Sequence, residues 1–376
     1  MNESEIARRP RGPFGTYIRR LRTEKRIGQR ELARVIGVSA SYLNDIEKNK
    51  RPAPRVELLD ALAEVLSADI EIINDLAGHS KNDLPPDVAE FIRDKKELVS
   101  LLRLIKAYNL TDRDITELEK MMTSSNAKAI VIAAGLGSRL KGFTENLPKC
   151  MLNFGDKTLL ERQLEAYREC GINNISVVRG YKKEKIDYEG LRYYENPDYE
   201  NNNILNSLFY AEEELNGNVV VAYSDILFDA AVVKRLLESQ ADISIVVDID
   251  WRGYYVGRKD HPIEEAENVV FNADNEVVRI GKILTEKDDV HGEFIGMMKF
   301  TPRGADIFKR HFHRAKEMFW NKPYQRAAVF QKAYITDIIQ DMADLGVPIH
   351  CVIIERGWKE IDTVEDYQKA LKEFED

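Results

Sequence analysis

The chain has 376 residues, 44% hydrophobic and 32% charged, with a formal net charge of −9. That length predicts two or three domains, and the composition is that of an ordinary soluble globular protein rather than a polycation. No run approaches the ~18 apolar residues that span a bilayer, Met1–Glu5 lacks the apolar core of a signal peptide, and Cys150, Cys170 and Cys351 have neither metal nor redox spacing. The expectation is a cytoplasmic protein with no membrane contact.

Charge is unevenly distributed. The first 55 residues hold 14 Lys and Arg against six acids, so the head of an acidic chain is basic and is expected to meet a polyanion. Tyr17, Ile18 and Leu21 start one amphipathic helix. Leu32, Ala33 and Ile36 mark a second that ends at Gly37. Ser39 is placed to cap a third, with Tyr42, Leu43 and Ile46 on its apolar face. Pro52 and Pro54 interrupt the chain before a fourth helical face of Leu58, Leu59, Leu62 and Leu66. Two short helices joined by a tight glycine-containing turn read as a helix-turn-helix.

The segment from Gln29 to Pro52 resembles the lambda-repressor/Cro-like (Xre) family, and the resemblance spans about residues 13–76. It implies a domain 1–76 that binds duplex DNA, commonly as a homodimer. Its recognition helix would start at Ser39. Ser39, Ala40, Ser41 and Asn44 would then reach base edges, with Gln29 on phosphate or a base and Arg30 on phosphate. Ser39 has a structural task as N-cap in either case.

Residues 77–126 read as a helical linker or dimerisation segment. Pro85 and Pro86 open it. Val88, Phe91, Ile92, Leu98, Leu101, Leu102 and Ile105 recur at helical spacing, and Leu110–Asp114 reads as a further helix start continued by Ile115, Leu118, Met121 and Met122.

From 127 to 376 apolar runs alternate with helical stretches. The runs are Lys128–Ile132, Ile175–Val178, Val219–Ala222, Ile243–Val247 and Val352–Ile354. The fold class expected is therefore multidomain: an all-α head, a helical linker, then an α/β domain with a mostly parallel sheet. Ligands in such sheets sit beyond the carboxyl ends of the strands. The first run feeds Ala133-Ala134-Gly135-Leu136-Gly137-Ser138-Arg139 and, ten residues on, Pro148-Lys149. A glycine-rich turn after a strand lets backbone N–H groups face phosphate. The spacing fits neither the Walker pattern nor the dinucleotide fingerprint.

This stretch resembles the signature of nucleoside-triphosphate transferases, enzymes that join a nucleoside monophosphate to a small phosphorylated substrate and release pyrophosphate. It departs from many members at Lys141–Thr144. The resemblance implies a Rossmann-like nucleotidyltransferase fold and Mg2+ as cofactor. Ala133, Ala134, Gly135, Gly137 and Ser138 would cradle the nucleotide, with Tyr181 near the base. Lys149 and Arg139 would hold the triphosphate, and Lys282 the acceptor phosphate. Asp225, after the run Val219–Tyr223, and Asp362, near the C-terminus, match the metal-binding aspartates. An aspartate at a strand end is also a common helix cap, and a lysine after a turn often simply faces solvent.

Residues 196–208 resemble a segment of phosphocholine cytidylyltransferases, and 223–228 with 291–296 resemble cytidylyltransferases of phosphonate biosynthesis. These imply CTP and a small phosphate or phosphonate headgroup, phosphocholine or 2-aminoethylphosphonate, with Asn203, Ser207, Glu293 and Trp358 on the acceptor. Trp251 and Tyr254 are further aromatic candidates. A sugar 1-phosphate acceptor, inositol phosphate included, stands as the alternative. So does a transcription regulator whose transferase fold senses a ligand without turnover. Cys150 reads as a small filler beside Lys149, not a nucleophile.

Overall fold

The computed structural model describes residues 13–66, 68, 70–93, 95–108, 110–111, 114–115, 127–282 and 290–375. They fall into two compact units that divide near residue 118. The expected continuation of the linker through Leu118, Met121 and Met122 lies outside the described residues.

The first unit holds α1 (Phe14–Glu24), α2 (Gln29–Val35), α3 (Ala40–Glu47), α4 (Val56–Leu66), α5 (Ile70–Lys81), α6 (Pro86–Arg93) and α7 (Lys96–Ala107). The Ser39 side chain accepts the Tyr42 N–H at 3.1 Å, so the N-cap read from the sequence starts α3. Ile18, Leu32, Leu43, Ile46, Leu59 and Leu62 form the core of α1–α5. Glu47 is buried under this bundle. Arg22 grips it through two N–H groups at 2.6 and 3.0 Å, and Gln29 Nε2 adds a third bond at 2.8 Å. A buried carboxylate is tolerated because it is paired and fully hydrogen-bonded. α6 begins at Pro86, where a missing N–H costs nothing. No residue of α6 is buried, and Phe91, Leu101, Leu102 and Leu104 stay about half exposed.

The second unit is built on nine strands: β1 (Lys128–Ala133), β2 (Asn174–Arg179), β3 (Arg192–Glu195), β4 (Val219–Tyr223), β5 (Ile243–Asp248), β6 (Glu267–Phe271), β7 (Val277–Lys282), β8 (Gly292–Phe300) and β9 (His350–Ile354). They run in the order β7-β6-β8-β4-β1-β2-β3, with β5 pairing β8 and β9 pairing β5. The pairs β1–β2, β1–β4, β2–β3 and β5–β9 are parallel, while β8 is antiparallel to β4, β5 and β6. The sheet is thus mixed: β7 is antiparallel to β6 at one edge, and β8 is a central antiparallel strand buried along all nine residues.

The apolar runs lack polar alternation because both sheet faces are covered. Ile130 and Ile132 of β1 join one core cluster, with Phe308, Phe312 and Ile338 from α11 (Pro302–Phe319) and α12 (Ile335–Asp344). Ala129, Val131 and Ala133 join the other, with Leu160, Leu164 and Tyr167 from α8 (Leu159–Glu169) and Val233 and Leu236 from α10 (Ala230–Glu238), which lies beyond α9 (Ile204–Leu208) in the chain. α13 (Val364–Glu375) closes the chain, and a two-stranded ribbon pairs Ile226–Phe228 with Trp358–Glu360. Among the described residues no helix is long and apolar enough to cross a membrane.

Candidate active site

The carboxyl ends of β1 and β4 lie level, with Ile132 opposite Tyr223, and both open into one cavity of about 490 Å³. Ala133, Ala134, Gly135, Gly137 and Arg139 line it. Gly137 adopts φ +61°, and a Cβ there would stand 3.2 Å from Lys149 Cβ, so the turn needs a glycine for its conformation and for its closeness to the lysine. The Ser138 side chain lies outside the described atoms. The Tyr181 ring is not on the cavity wall. Its hydroxyl donates to the Thr144 and Glu145 carbonyls at 3.1 and 2.6 Å and so ties down the loop that follows the turn.

Lys149 sits on the cavity floor, 6% exposed. Its ammonium donates to Asp225 Oδ2 at 2.9 Å and to Asp362 Oδ1 at 2.6 Å. Burial alone would lower its pKa, but Asp225, Asp362 and Glu360 hold it above the ordinary range, so it stays charged. Burial would raise Asp362 too, yet Lys149 and Arg139 hold it well below the usual carboxylate range. Asp225 goes the other way, pushed up by burial against the pull of Lys149. Arg139 bonds Asp362 through one N–H group and Glu265 through another at 3.1 Å, and Lys282 bonds the same Glu265 oxygen at 3.1 Å. Burial pushes the Cys150 thiol up to about 12, so it stays protonated and inert as a nucleophile.

The two aspartates are 137 positions apart in sequence. The ribbon registers them: Glu360 pairs with Ile226, and the Ile361 N–H donates to the Asp225 carbonyl at 2.8 Å. Gln163 of α8 secures the same turn from below. It is fully buried, and its Nε2 donates to the Tyr223 and Ile226 carbonyls at 2.9 and 2.6 Å. Gln163→Leu keeps the volume but strands both carbonyls. The expected cost is about 1–3 kcal/mol in urea unfolding of the full chain, together with lower turnover. Unchanged stability would show that the turn does not depend on this side chain.

Asn203, Ser207, Glu293 and Trp358 line the same cavity, and each already makes hydrogen bonds within the protein. Asn203 caps α9 by accepting the Ile204 N–H at 2.9 Å and donates to the Lys332 carbonyl at 3.1 Å. Ser207 accepts from Asn196 Nδ2 at 2.8 Å. Trp358 donates its Nε1–H to the buried Asp248 at 2.7 Å, and Arg356 bonds the same oxygen at 2.9 Å. Trp251 and Tyr254 are not on the cavity wall. The guanidinium groups of Arg258 and Arg356 lie 4.7 and 4.8 Å from the centre of the Tyr254 ring, so that aromatic is taken. Glu293, 3% exposed, accepts from the Tyr255 hydroxyl, and burial pushes its carboxyl up to about 8. Its other oxygen is buried with no hydrogen-bond partner. Gly296, three residues on, bulges β8 with φ +80°, and a Cβ there would collide with the Tyr223 ring at 2.4 Å.

The sequence reading missed several residues of this wall: Glu265, Glu267, Lys332, Tyr334, His261 and Glu360. Glu360 alone carried a signal, standing two before Asp362 at the end of the short strand Trp358–Glu360. The others come from loops and strand ends that only the fold brings together. Burial pushes Glu267 up to about 7, although Lys282 pulls it down.

For the DNA-facing candidates, Arg30, Ser39 and Ser41 are exposed and Asn44 is half-buried on α3. Gln29 spends its amide N–H on Glu47.

Residues 129–285 match the MobA-like NTP transferase domain, and residues 18–73 match the helix-turn-helix family. A CTP:phosphoglutamine cytidylyltransferase of Campylobacter jejuni is 27% identical over 256 residues, which cover 65% of this chain and 99% of the relative. A choline-phosphate cytidylyltransferase of Streptococcus pneumoniae is 42% identical over 105 residues, 27% of this chain and 46% of that one. The chain therefore spans less than half of this second relative. A solved CTP:phosphocholine cytidylyltransferase from Streptococcus pneumoniae superposes with a TM-score of 0.50 at 25% identity, covering 65% of this chain and 98% of that one.

Proposed function

Starting from a chain that carries a helix-turn-helix domain and a MobA-like NTP transferase domain of the nucleotidyltransferase class, we propose a Mg2+-dependent cytidylyltransferase with a DNA-binding head. The transferase joins CTP to a small amine-bearing phosphate or phosphonate, phosphocholine or 2-aminoethylphosphonate, and releases pyrophosphate. The observation that carries this reading is the charged Lys149 held between Asp225 and Asp362 at the mouth of the glycine-rich turn.

The donor set fits magnesium. Asp225 and Asp362 offer hard oxygens, and Asp225 Oδ1 is buried without a hydrogen-bond partner. Held by these two carboxylates, Mg2+ would offset the charge of the triphosphate. The remaining work falls to side chains and backbone. The turn Gly135–Gly137 offers N–H groups to the phosphates. Arg139 and Lys282 both rest on Glu265, and an entering polyanion can take both from it. Lys149 donates to the α-phosphate as an acceptor oxygen bonds to phosphorus and pyrophosphate leaves, so no protein nucleophile is needed. The test is pyrophosphate release with Mg2+, screening CTP, UTP, dTTP, ATP and GTP against phosphocholine, 2-aminoethylphosphonate and sugar 1-phosphates. CTP with an amine-bearing acceptor should lead. No release with any pair would leave the ligand-sensing regulator standing.

The head, 1–76, is read as binding duplex DNA through α3, and 77–126 as a helical linker or dimerisation segment, in keeping with the half-exposed apolar residues of α6 and α7. The full chain should bind duplex genomic fragments, its own promoter among those tested, with an affinity that falls about 10³-fold or more between 50 and 200 mM salt. Arg30→Ala should weaken all sequences alike, whereas changes at Ser41 or Asn44 should shift sequence preference. No binding at low salt to any genomic fragment would refute the DNA-binding role.

A further inference from the structure

His261 lies in the loop between β5 and β6 and is 3% exposed, yet neither ring nitrogen has a hydrogen-bond partner. An imidazole buried that deeply normally donates one proton and accepts another. Its Nδ1 stands 3.2 Å from Glu360 Oε2 and 3.6 Å from Asp362 Oδ2, without hydrogen-bonding either. All three side chains line the cavity, and their ligand atoms lie within 4.8 Å of one another. Separations of 3.2 and 3.6 Å bracket the edge of about 3.4 Å expected of a tetrahedron of ligands ~2.1 Å from a central ion.

We propose that His261, Glu360 and Asp362 form a second cation site, for a first-row divalent transition metal ion, beside the Asp225–Asp362 pair. The chemistry of the donors separates the two. Two carboxylates suit magnesium, which prefers oxygen. An imidazole nitrogen with two carboxylates suits Zn2+, Co2+ or Fe2+. Asp362 faces both positions through different oxygens, Oδ1 toward Lys149 and Oδ2 toward His261. Arg139 and Arg258 bond the outer sides of Asp362 Oδ2 and Glu360 Oε2. Phosphate groups that draw Arg139 away would leave Asp362 Oδ2 free for an ion. The site does not depend on which acceptor or base the enzyme takes, or on turnover at all.

The test uses the full-length, metal-stripped protein without nucleotide and, in parallel, with CTP. Co2+ is titrated in a millimolar excess of Mg2+, and binding is read from its visible ligand-field absorption. One Co2+ per chain is expected, tighter when CTP is present. His261→Ala and Glu360→Gln should each weaken it at least tenfold, while Asp225→Asn should change it by less than threefold. Wild-type protein gives a second readout that needs no variant: Zn2+ should move the 15N resonance of His261 Nδ1. Displacement of Co2+ by Mg2+, equal binding by His261→Ala, or an unmoved His261 resonance would each overturn the proposal. Because these readouts are equilibrium binding, they fail or succeed independently of pyrophosphate release.

Discussion

Asp225→Asn and Asp362→Asn should each lower kcat by on the order of 10²–10³-fold while leaving the circular dichroism of the chain unchanged. The reason is in the geometry around Lys149. Each aspartate gives one oxygen to the ammonium, and the amide of asparagine can still offer one. What the substitution removes is negative charge, which a cation needs and a hydrogen bond does not. The two positions should also be non-additive, since both act on one centre. The double variant is expected to be little worse than the poorer single one. Near-normal turnover of both single variants, with Mg2+ as the only divalent ion, would show that the pair does not hold the metal.

At pH 9, where Glu293 is ionised, Glu293→Gln should raise the KM for an amine-bearing acceptor about tenfold or more, equivalent to ~1.4 kcal/mol, and change the KM for CTP far less. Glu293 is buried, and its carboxyl is raised to about 8. Its sign matters for the pH dependence. Below about 8 the empty site holds a neutral carboxylic acid, and above it a carboxylate that can face a cation. The acceptor KM should therefore fall as pH rises from 7 to 9 in the wild type and stay level in Glu293→Gln. Phosphocholine is the right probe because its quaternary ammonium keeps its charge throughout this range. The Trp358 face can add a cation–π contact of roughly 0.5–2 kcal/mol, and Trp358→Leu should weaken choline more than 2-aminoethylphosphonate. Efficient turnover of glucose 1-phosphate above any amine-bearing acceptor would overturn the acceptor assignment and leave nucleotidyl transfer intact.

Some features of the chain were written locally and were therefore legible. Ser39 and its helix follow from a cap and a 3.6-residue period, both decided within a few residues. The runs at 129–132, 219–222 and 243–247 announce strands buried on both faces because only Ser244 interrupts them and no regular polar alternation appears. The glycine-rich turn is distinguishable by its position after a strand, and Lys149, Asp225 and Asp362 by the resemblance to nucleoside-triphosphate transferases.

What the sequence by itself determined is thus the helical head, the buried strands and the glycine-rich turn, all products of short-range sterics and periodic burial. The tertiary structure decided the rest. It set the antiparallel course of β8 through the sheet centre, which carries Glu293 and the Gly296 bulge to the cavity. It also set the ribbon that places Glu360 opposite Ile226 and so brings Asp362 to Asp225. His261, Glu265 and Lys332 reach the wall the same way. Pairings between residues 100 or more positions apart depend on register across the whole sheet, and register is fixed by simultaneous packing of both faces, which no local run of residues encodes.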